Sequence, residues 1–207
     1  MKGALPIPGL DVSRETIDKL ERLTELTRKW TKRINLIAPS TADTIWDRHV
    51  RDSAQLVSHA PRDWTHWIDL GSGGGFPGLV IAIFATADQR VTLIESDIRK
   101  CTFLRNAVRE LGLNTHVINA RIEGAKVDAA DAVSARALAP LDRLLSYTYP
   151  FLTDKGVALF PKGETHNGEI LSARETWDFE CDVLPSITKT TARILRISRI
   201  RTRGSKP

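Results

Sequence analysis

The chain predicts an α/β fold: a mostly parallel seven-stranded sheet with helices on both faces, an antiparallel last strand and an N-terminal helical extension. Three observations carry this reading. Before Trp64 the apolar residues recur at helical spacing. After it, short apolar strands alternate with helical segments. The last two strands then face each other across residues 185–191 with no helix between them, as a hairpin does.

Taken in order, the first helix spans residues 11–38, with Ser13 able to cap it and Ile17, Leu20, Leu23, Leu26, Trp30 and Ile34 on one face. A second helical stretch runs over residues 41–59 and stops before Pro61. Strands follow over residues 67–70, 91–95, 116–119, 132–135, 157–160, 177–184 and 192–200, with helices over 99–111 and 140–149 among the connections. The division expected is a helical extension, residues 1–61, and one catalytic domain, residues 62–207.

Composition bounds the function. Apolar residues make up 42% and charged residues 27% of 207, a globular rather than a disordered balance. No run of eighteen apolar residues exists, and the opening lacks the apolar stretch of a signal peptide, so a cytoplasmic protein with no membrane partner is expected. Cys101 and Cys181 have no CxxC partner and read as reduced thiols, with no metal site. The net charge of +5 is concentrated at the end: residues 183–207 hold seven basic groups and no acid. Arg196, Arg199, Arg201 and Arg203 are therefore expected phosphate contacts, the alternative being a solvated tail.

The strongest local signal is Trp67-Ile68-Asp69-Leu70-Gly71-Ser72-Gly73-Gly74-Gly75-Phe76-Pro77-Gly78. It reads as an apolar strand, a glycine turn and a helix opened by Pro77, at the carboxyl end of a parallel strand where nucleotide-like ligands bind. A carboxylate beside the turn, Asp69, would repel the pyrophosphate of a dinucleotide but suits a ligand carrying an ammonium and a sulfonium. Glu95, ending the next strand, can accept both hydroxyls of a ribose. Together they favour S-adenosylmethionine over NAD, with a purely structural turn as the plain alternative.

With these residues in place, the chain resembles the bacterial small-subunit rRNA guanine-N7 methyltransferase G family, also called the glucose-inhibited division protein B family. The matching residues are Trp30 with Asn35-Leu36; Arg48-His49-Val50-Arg51-Asp52-Ser53; Asp69 through Gly78; Lys100-Cys101-Thr102-Phe103-Leu104; Arg121-Ile122-Glu123; Arg136-Ala137-Leu138-Ala139; and Lys162-Gly163. The resemblance implies a class I, Rossmann-like methyltransferase that uses S-adenosylmethionine to methylate N7 of guanine 527 in 16S rRNA, as naked rRNA or in a small-subunit particle. It implies cofactor contacts at Gly71, Phe76, Ile122, Glu123 and Arg136, to which the local reading adds Asp69, Gly73 and Glu95. Arg136 and Lys162, ending the fourth and fifth strands at the cofactor rim, are the expected catalytic residues, and a monomer is expected.

Several of these positions have a plainer reading. Glu123 could form a surface ion pair with Arg121, and Arg48 and Asp52 could form an i,i+4 pair. His49, with Arg48 a candidate RNA contact, could simply pack on the domain. At the level of the whole protein, a methyltransferase of the same fold acting on a protein or small molecule would not need the basic tail. A non-catalytic ribosome-assembly factor would not turn over cofactor.

Overall fold

The computed structural model describes residues 12–204. The expected helix start at Asp11 and the tail cation Lys206 lie outside them. Helix α1, Arg14–Thr31, begins where Ser13 accepts the backbone N–H of Thr16 at 3.1 Å. It ends seven residues earlier than its apolar spacing suggests. Beyond Thr31 the N–H groups of Arg33 and Ile34 turn back onto the Trp30 carbonyl, and the chain bends to bury Leu36 and Ile37. Burying those two side chains offsets the helical hydrogen bonds given up there.

The expected helix over residues 41–59 is broken into four turns: a 3₁₀ turn Pro39–Thr41, a π-helical turn Trp46–Arg51, the short helix α2, Asp52–Ala54, and a 3₁₀ turn Val57–His59. Wide turns of this kind re-aim side chains and recur at functional sites. This one, with the start of α2, brings the Arg48 carbonyl, His49 and Asp52 to Arg136 at the end of β4.

The sheet is built from β1 (His66–Leu70), β2 (Arg90–Glu95), β3 (Thr115–Asn119), β4 (Ala130–Ala135), β5 (Leu152–Lys162), β6 (Trp177–Pro185) and β7 (Arg193–Thr202). Their order is β3-β2-β1-β4-β5-β7-β6. The first five strands are parallel, and β7 inserts antiparallel between β5 and β6, as the hairpin reading expects. Helices α3 (Gly78–Phe84), α4 (Ile98–Leu111), α5 (Leu141–Thr148) and α6 (His166–Ala173) make connections. Asp97 caps α4 through the Arg99 N–H at 2.8 Å, and Gly112 ends it at φ 62°.

Two apolar clusters lie on the two faces of the sheet. On one face Leu20, Leu23 and Leu26 of α1 pack into the same cluster as Leu79, Val80, Phe103 and Leu104 of α3 and α4. The extension therefore shares its core with the sheet. The order reverses between β1 and β4, so the crevice at their carboxyl ends is where ligands bind in such sheets.

Candidate active site

The register of the sheet assembles the site. Leu70 pairs with Ile94 on one side and Ala135 on the other. Gly71, Glu95 and Arg136 therefore leave the sheet next to one another. Gly71 and Gly73 hold φ of 62° and 55°, conformations that side chains oppose. A Cβ on Gly71 would also lie 2.7 Å from Leu138 Cδ1. The turn surrounds a cavity of about 460 Å³ lined by Gly71, Gly73, Phe76, Glu95, Ile122 and Glu123. Arg136 closes its side, and Leu36 reaches it from the N-terminal extension. Seven of the eight residues expected at the cofactor thus converge.

Asp69 is the exception and a correction. Its side chain is fully buried beneath the turn rather than in the cavity wall. Oδ1 accepts from Ser134 Oγ at 2.7 Å, and Oδ2 accepts from the Gly78 N–H at 3.2 Å, the start of α3. Ser134 is itself fixed by Trp67 Nε1 at 3.0 Å. Desolvation raises the pKa of Asp69 to about 6, against the hydrogen bonds from Ser134, Ser72 and Gly78 and the nearby Arg136 charge. Its carboxylate shapes the turn from below. Glu95 also organises the turn: Oε2 accepts from Gly73 N–H and Oε1 from Asp97 N–H, both at 2.8 Å. Unlike Asp69 it lines the cavity.

A second, more open cavity of about 860 Å³ adjoins the first and shares Arg136, Ala137 and Leu138 with it. At this common wall Ala137 adopts φ 52°, a strained conformation for a residue with a Cβ. The Arg136 guanidinium, largely desolvated, is held from several sides. Nη2 donates to His49 Nδ1 at 2.7 Å, Nη1 donates to the Arg48 carbonyl at 3.1 Å, and Nη1 lies 3.5 Å from Asp52 Oδ2. The Phe76 ring centroid is 5.6 Å from Cζ.

Because arginine only donates, His49 Nδ1 must accept, and its proton sits on Nε2 facing Thr41 Oγ1 at 2.9 Å. Burial first, then the Arg136 and Arg48 charges, lower the His49 pKa to about 4. His49 is therefore neutral at pH 7.

Lys162 lines the second cavity, yet its ammonium is engaged. Nζ donates to Glu169 Oε2 at 2.7 Å and to the Ala139 carbonyl at 3.0 Å, with 10% of the side chain exposed. Glu169 also accepts the N–H of Leu141 at the start of α5. The lysine braces β5, the loop after β4 and α6. With its ammonium so engaged, the lysine is placed to brace these elements at the cavity wall.

Of the expected RNA contacts, Arg48 and His49 line the second cavity. Asp52 is paired with Arg136 rather than with Arg48, so the i,i+4 reading fails, and Arg48 is exposed with no carboxylate partner among the described residues. The tail arginines lie elsewhere. Lys162 pairs with Arg193, and β7 then runs antiparallel away from the rim. Eight residues on, Arg201 stands about 26 Å distant at the strand rise of about 3.3 Å. Arg196 pairs with Asp182, Arg199 with Glu180, and Arg203 donates to the Arg174 carbonyl. The tail cations at the cavity are Lys189 and Arg193. Composition marks the tail as basic, but only the direction of β7 separates its near end from its far end.

The family model for rRNA small subunit methyltransferase G (GidB) matches residues 16–197. A ribosomal RNA small subunit methyltransferase G of Cereibacter sphaeroides is 50% identical over 194 residues, covering 92% of this chain and 94% of that protein. The protein of that name from Rhodospirillum centenum is 48% identical over 193 residues, 93% of this chain and 88% of its own length. Among solved structures, an O-methyltransferase from Bacillus cereus in complex with SAH superposes with a TM-score of 0.58 at 12% identity, over 88% of this chain and 91% of that one. That likeness is of fold: a Rossmann-like methyltransferase sheet with the same layered architecture. The matched range takes in the glycine turn, the Arg-His-x-x-Asp-Ser segment and the shared-wall arginine, and with relatives about 50% identical over nearly the whole length, the chain belongs to the rRNA small subunit methyltransferase G family.

Proposed function

We propose that the chain transfers a methyl group from S-adenosylmethionine, held in the glycine-turn cavity, to N7 of a guanine of 16S rRNA, guanine 527 by family resemblance, received in the adjoining cleft. The observation that carries this is the shared wall: two cavities meet at Arg136, Ala137 and Leu138. A donor in one can therefore face an acceptor in the other.

The first cavity suits the cofactor in size and in donor set. Its volume lies within the range of small-molecule sites, about 300–1,000 Å³. A Cβ on Gly73 would meet nothing nearer than 3.7 Å, so the turn offers open backbone, and Glu95 offers carboxylate oxygens for ribose hydroxyls. Ile122 and Glu123 stand on the 3₁₀ turn Ile122–Gly124 after β3, where they can flank an adenine. When bound, S-adenosylmethionine supplies an electrophilic methyl on a sulfonium.

The chain's own residues orient the partners. Guanine N7 offers a lone pair and no proton, so no general base is needed. Holding reacting atoms in near-attack geometry can contribute roughly 7–11 kcal/mol. Arg48, Lys189 and Arg193 supply phosphate contacts at the cleft mouth, which give affinity without reading sequence. With rRNA as its substrate the enzyme works in the cytoplasm. Mass mapping of 16S rRNA from cells lacking the protein should show one guanine short of one methyl group. Unaltered methylation throughout 16S rRNA would overturn the proposal, and restored methylation on re-expression but not with Arg136→Ala would support it.

A further inference from the structure

The cleft that receives RNA contains two carboxylates, Asp52 and Glu169, among its lining residues. They differ in what they have left to offer. Glu169 accepts from Lys162 and the Leu141 N–H on Oε2, and from Thr165 on Oε1. Asp52 is asymmetric. Its Oδ1 accepts from Thr188 Oγ1 at 2.7 Å and from Gln55 Nε2 at 3.0 Å. Its Oδ2 has one long contact, to Arg136 Nη1 at 3.5 Å. Gln55 is itself tied to the turn between β6 and β7, since Oε1 accepts the Ile187 N–H at 2.9 Å. One carboxylate oxygen is thus anchored by two donors while the other faces the wall that both cavities share.

Guanine differs from adenine on its Watson–Crick edge, where N1–H and the 2-amino group are adjacent donors; a carboxylate is the natural acceptor for that pair. Enzymes that act on an extruded base read it on this edge. We propose that Asp52 reads the target guanine through Oδ2, which accepts from the adjacent N1–H and 2-amino donors, with Gln55 and Thr188 as positioning residues that hold Oδ1 and aim it. The inference rests on the guanine reading above and adds the residue that selects the base.

The chemistry favours the same assignment. As the N7–C bond forms and the S–C bond breaks, the bonding pair stays on sulfur and one positive charge passes to the purine; no proton moves. An anion already fixed against the N1–H edge stabilises that charge where it develops. Asp52 therefore acts on turnover as well as on recognition.

The test uses small-subunit particles assembled from 16S rRNA carrying guanosine, inosine or 7-deazaguanosine at the methylated position. Inosine lacks the 2-amino group and keeps N7. The wild-type protein should favour guanosine over inosine by about tenfold in kcat/KM, the scale of one hydrogen bond to a charged group. In Asp52→Asn the amide oxygen stays with Thr188 and Gln55, the amide NH2 replaces Oδ2 and cannot accept, and the ratio should fall to one or below. A variant slower on both substrates with the ratio intact would overturn the proposal, because a purely structural role penalises the two alike. If Asp52→Asn does not fold, Thr188→Val decides: the ratio should fall at least about twofold, and an unchanged ratio overturns the proposal. Methylation of the 7-deazaguanosine particle, or none of the guanosine particle by the wild type, would instead overturn the N7 reading.

Discussion

Arg136 Nη2 donates to His49 Nδ1 at 2.7 Å, and this contact ties the end of β4 to the N-terminal extension at the boundary between the two cavities. A histidine held neutral and used as an acceptor toward an arginine is a support for that arginine, not a proton carrier. Single-turnover methyl transfer at saturating RNA should therefore be nearly flat between about pH 6.5 and 8.5. His49→Ala should slow it by about tenfold at every pH in that range, the scale of one charge-assisted hydrogen bond. A pH-dependent rise that disappears in the variant would make His49 a base.

Stability should reveal two opposed titrations. Asp69 has a raised pKa, about 6 against 3.8, so between these values the folded state holds the extra proton. Its contribution is fully present below about pH 3.8 and is lost as pH rises through 6. His49 is lowered from 6.5 to about 4, so its contribution is present above 6.5 and is lost as pH falls through 4. Chemical denaturation between about pH 4 and 7 should show the stability advantage of wild type over Asp69→Asn shrinking with pH, and its advantage over His49→Gln growing. Parallel curves for all three would contradict both environments.

Gly74 marks where the extension closes on the turn. A Cβ there would lie 2.6 Å from the Leu36 carbonyl oxygen, a backbone atom that cannot rotate away. Gly74→Ala should cost about 1–3 kcal/mol of stability and weaken cofactor binding, because Leu36 lines the cofactor cavity. Gly163→Ala, with nothing within 4 Å of the added carbon, is the matched control. Equal melting temperatures for the two variants would show that the extension yields freely.

Lys162→Met separates bracing from catalysis. Removing the ammonium leaves Glu169 without its cation in a partly buried site, at a cost of about 2–4 kcal/mol. Melting temperature and turnover should fall together. A fall in turnover at an unchanged melting temperature would restore the lysine to the reacting centre.

Salt dependence should distinguish the two ends of the β7 segment. Neutral replacements at Arg48, Lys189 or Arg193 should make the slope of log K against log salt shallower by roughly 0.7–0.9 for each phosphate that is no longer neutralised. Arg199→Gln and Arg201→Gln, up to about 26 Å along the strand at about 3.3 Å per residue, should leave it unchanged. The reverse pattern would move the RNA to the far edge of the sheet.

The fold is legible from local pattern because strand alternation, the glycine turn and the helix-free final connection are properties of neighbours in the chain. The period of apolar residues after Trp64 specifies strands and helices, and the hairpin around residues 185–191 specifies an antiparallel end. Gly71, Gly73, Glu95 and Arg136 are legible for the same reason: each stands at or just beyond the end of a strand, and parallel strands bring their ends to one rim. What a side chain does there depends on partners distant in sequence. Asp69 reads as ligand-facing in the chain alone, but Ser134 and Gly78 enclose it; Lys162 reads as catalytic, but Glu169 and Ala139 hold it. Asp52 reads as the i,i+4 partner of Arg48, whereas its oxygens meet Thr188 and Arg136, far away in the sequence. Charge and periodicity are carried by the chain itself, but desolvation and hydrogen-bond saturation arise only when remote segments pack, and those two quantities separate a residue that supports this site from one that touches its substrate.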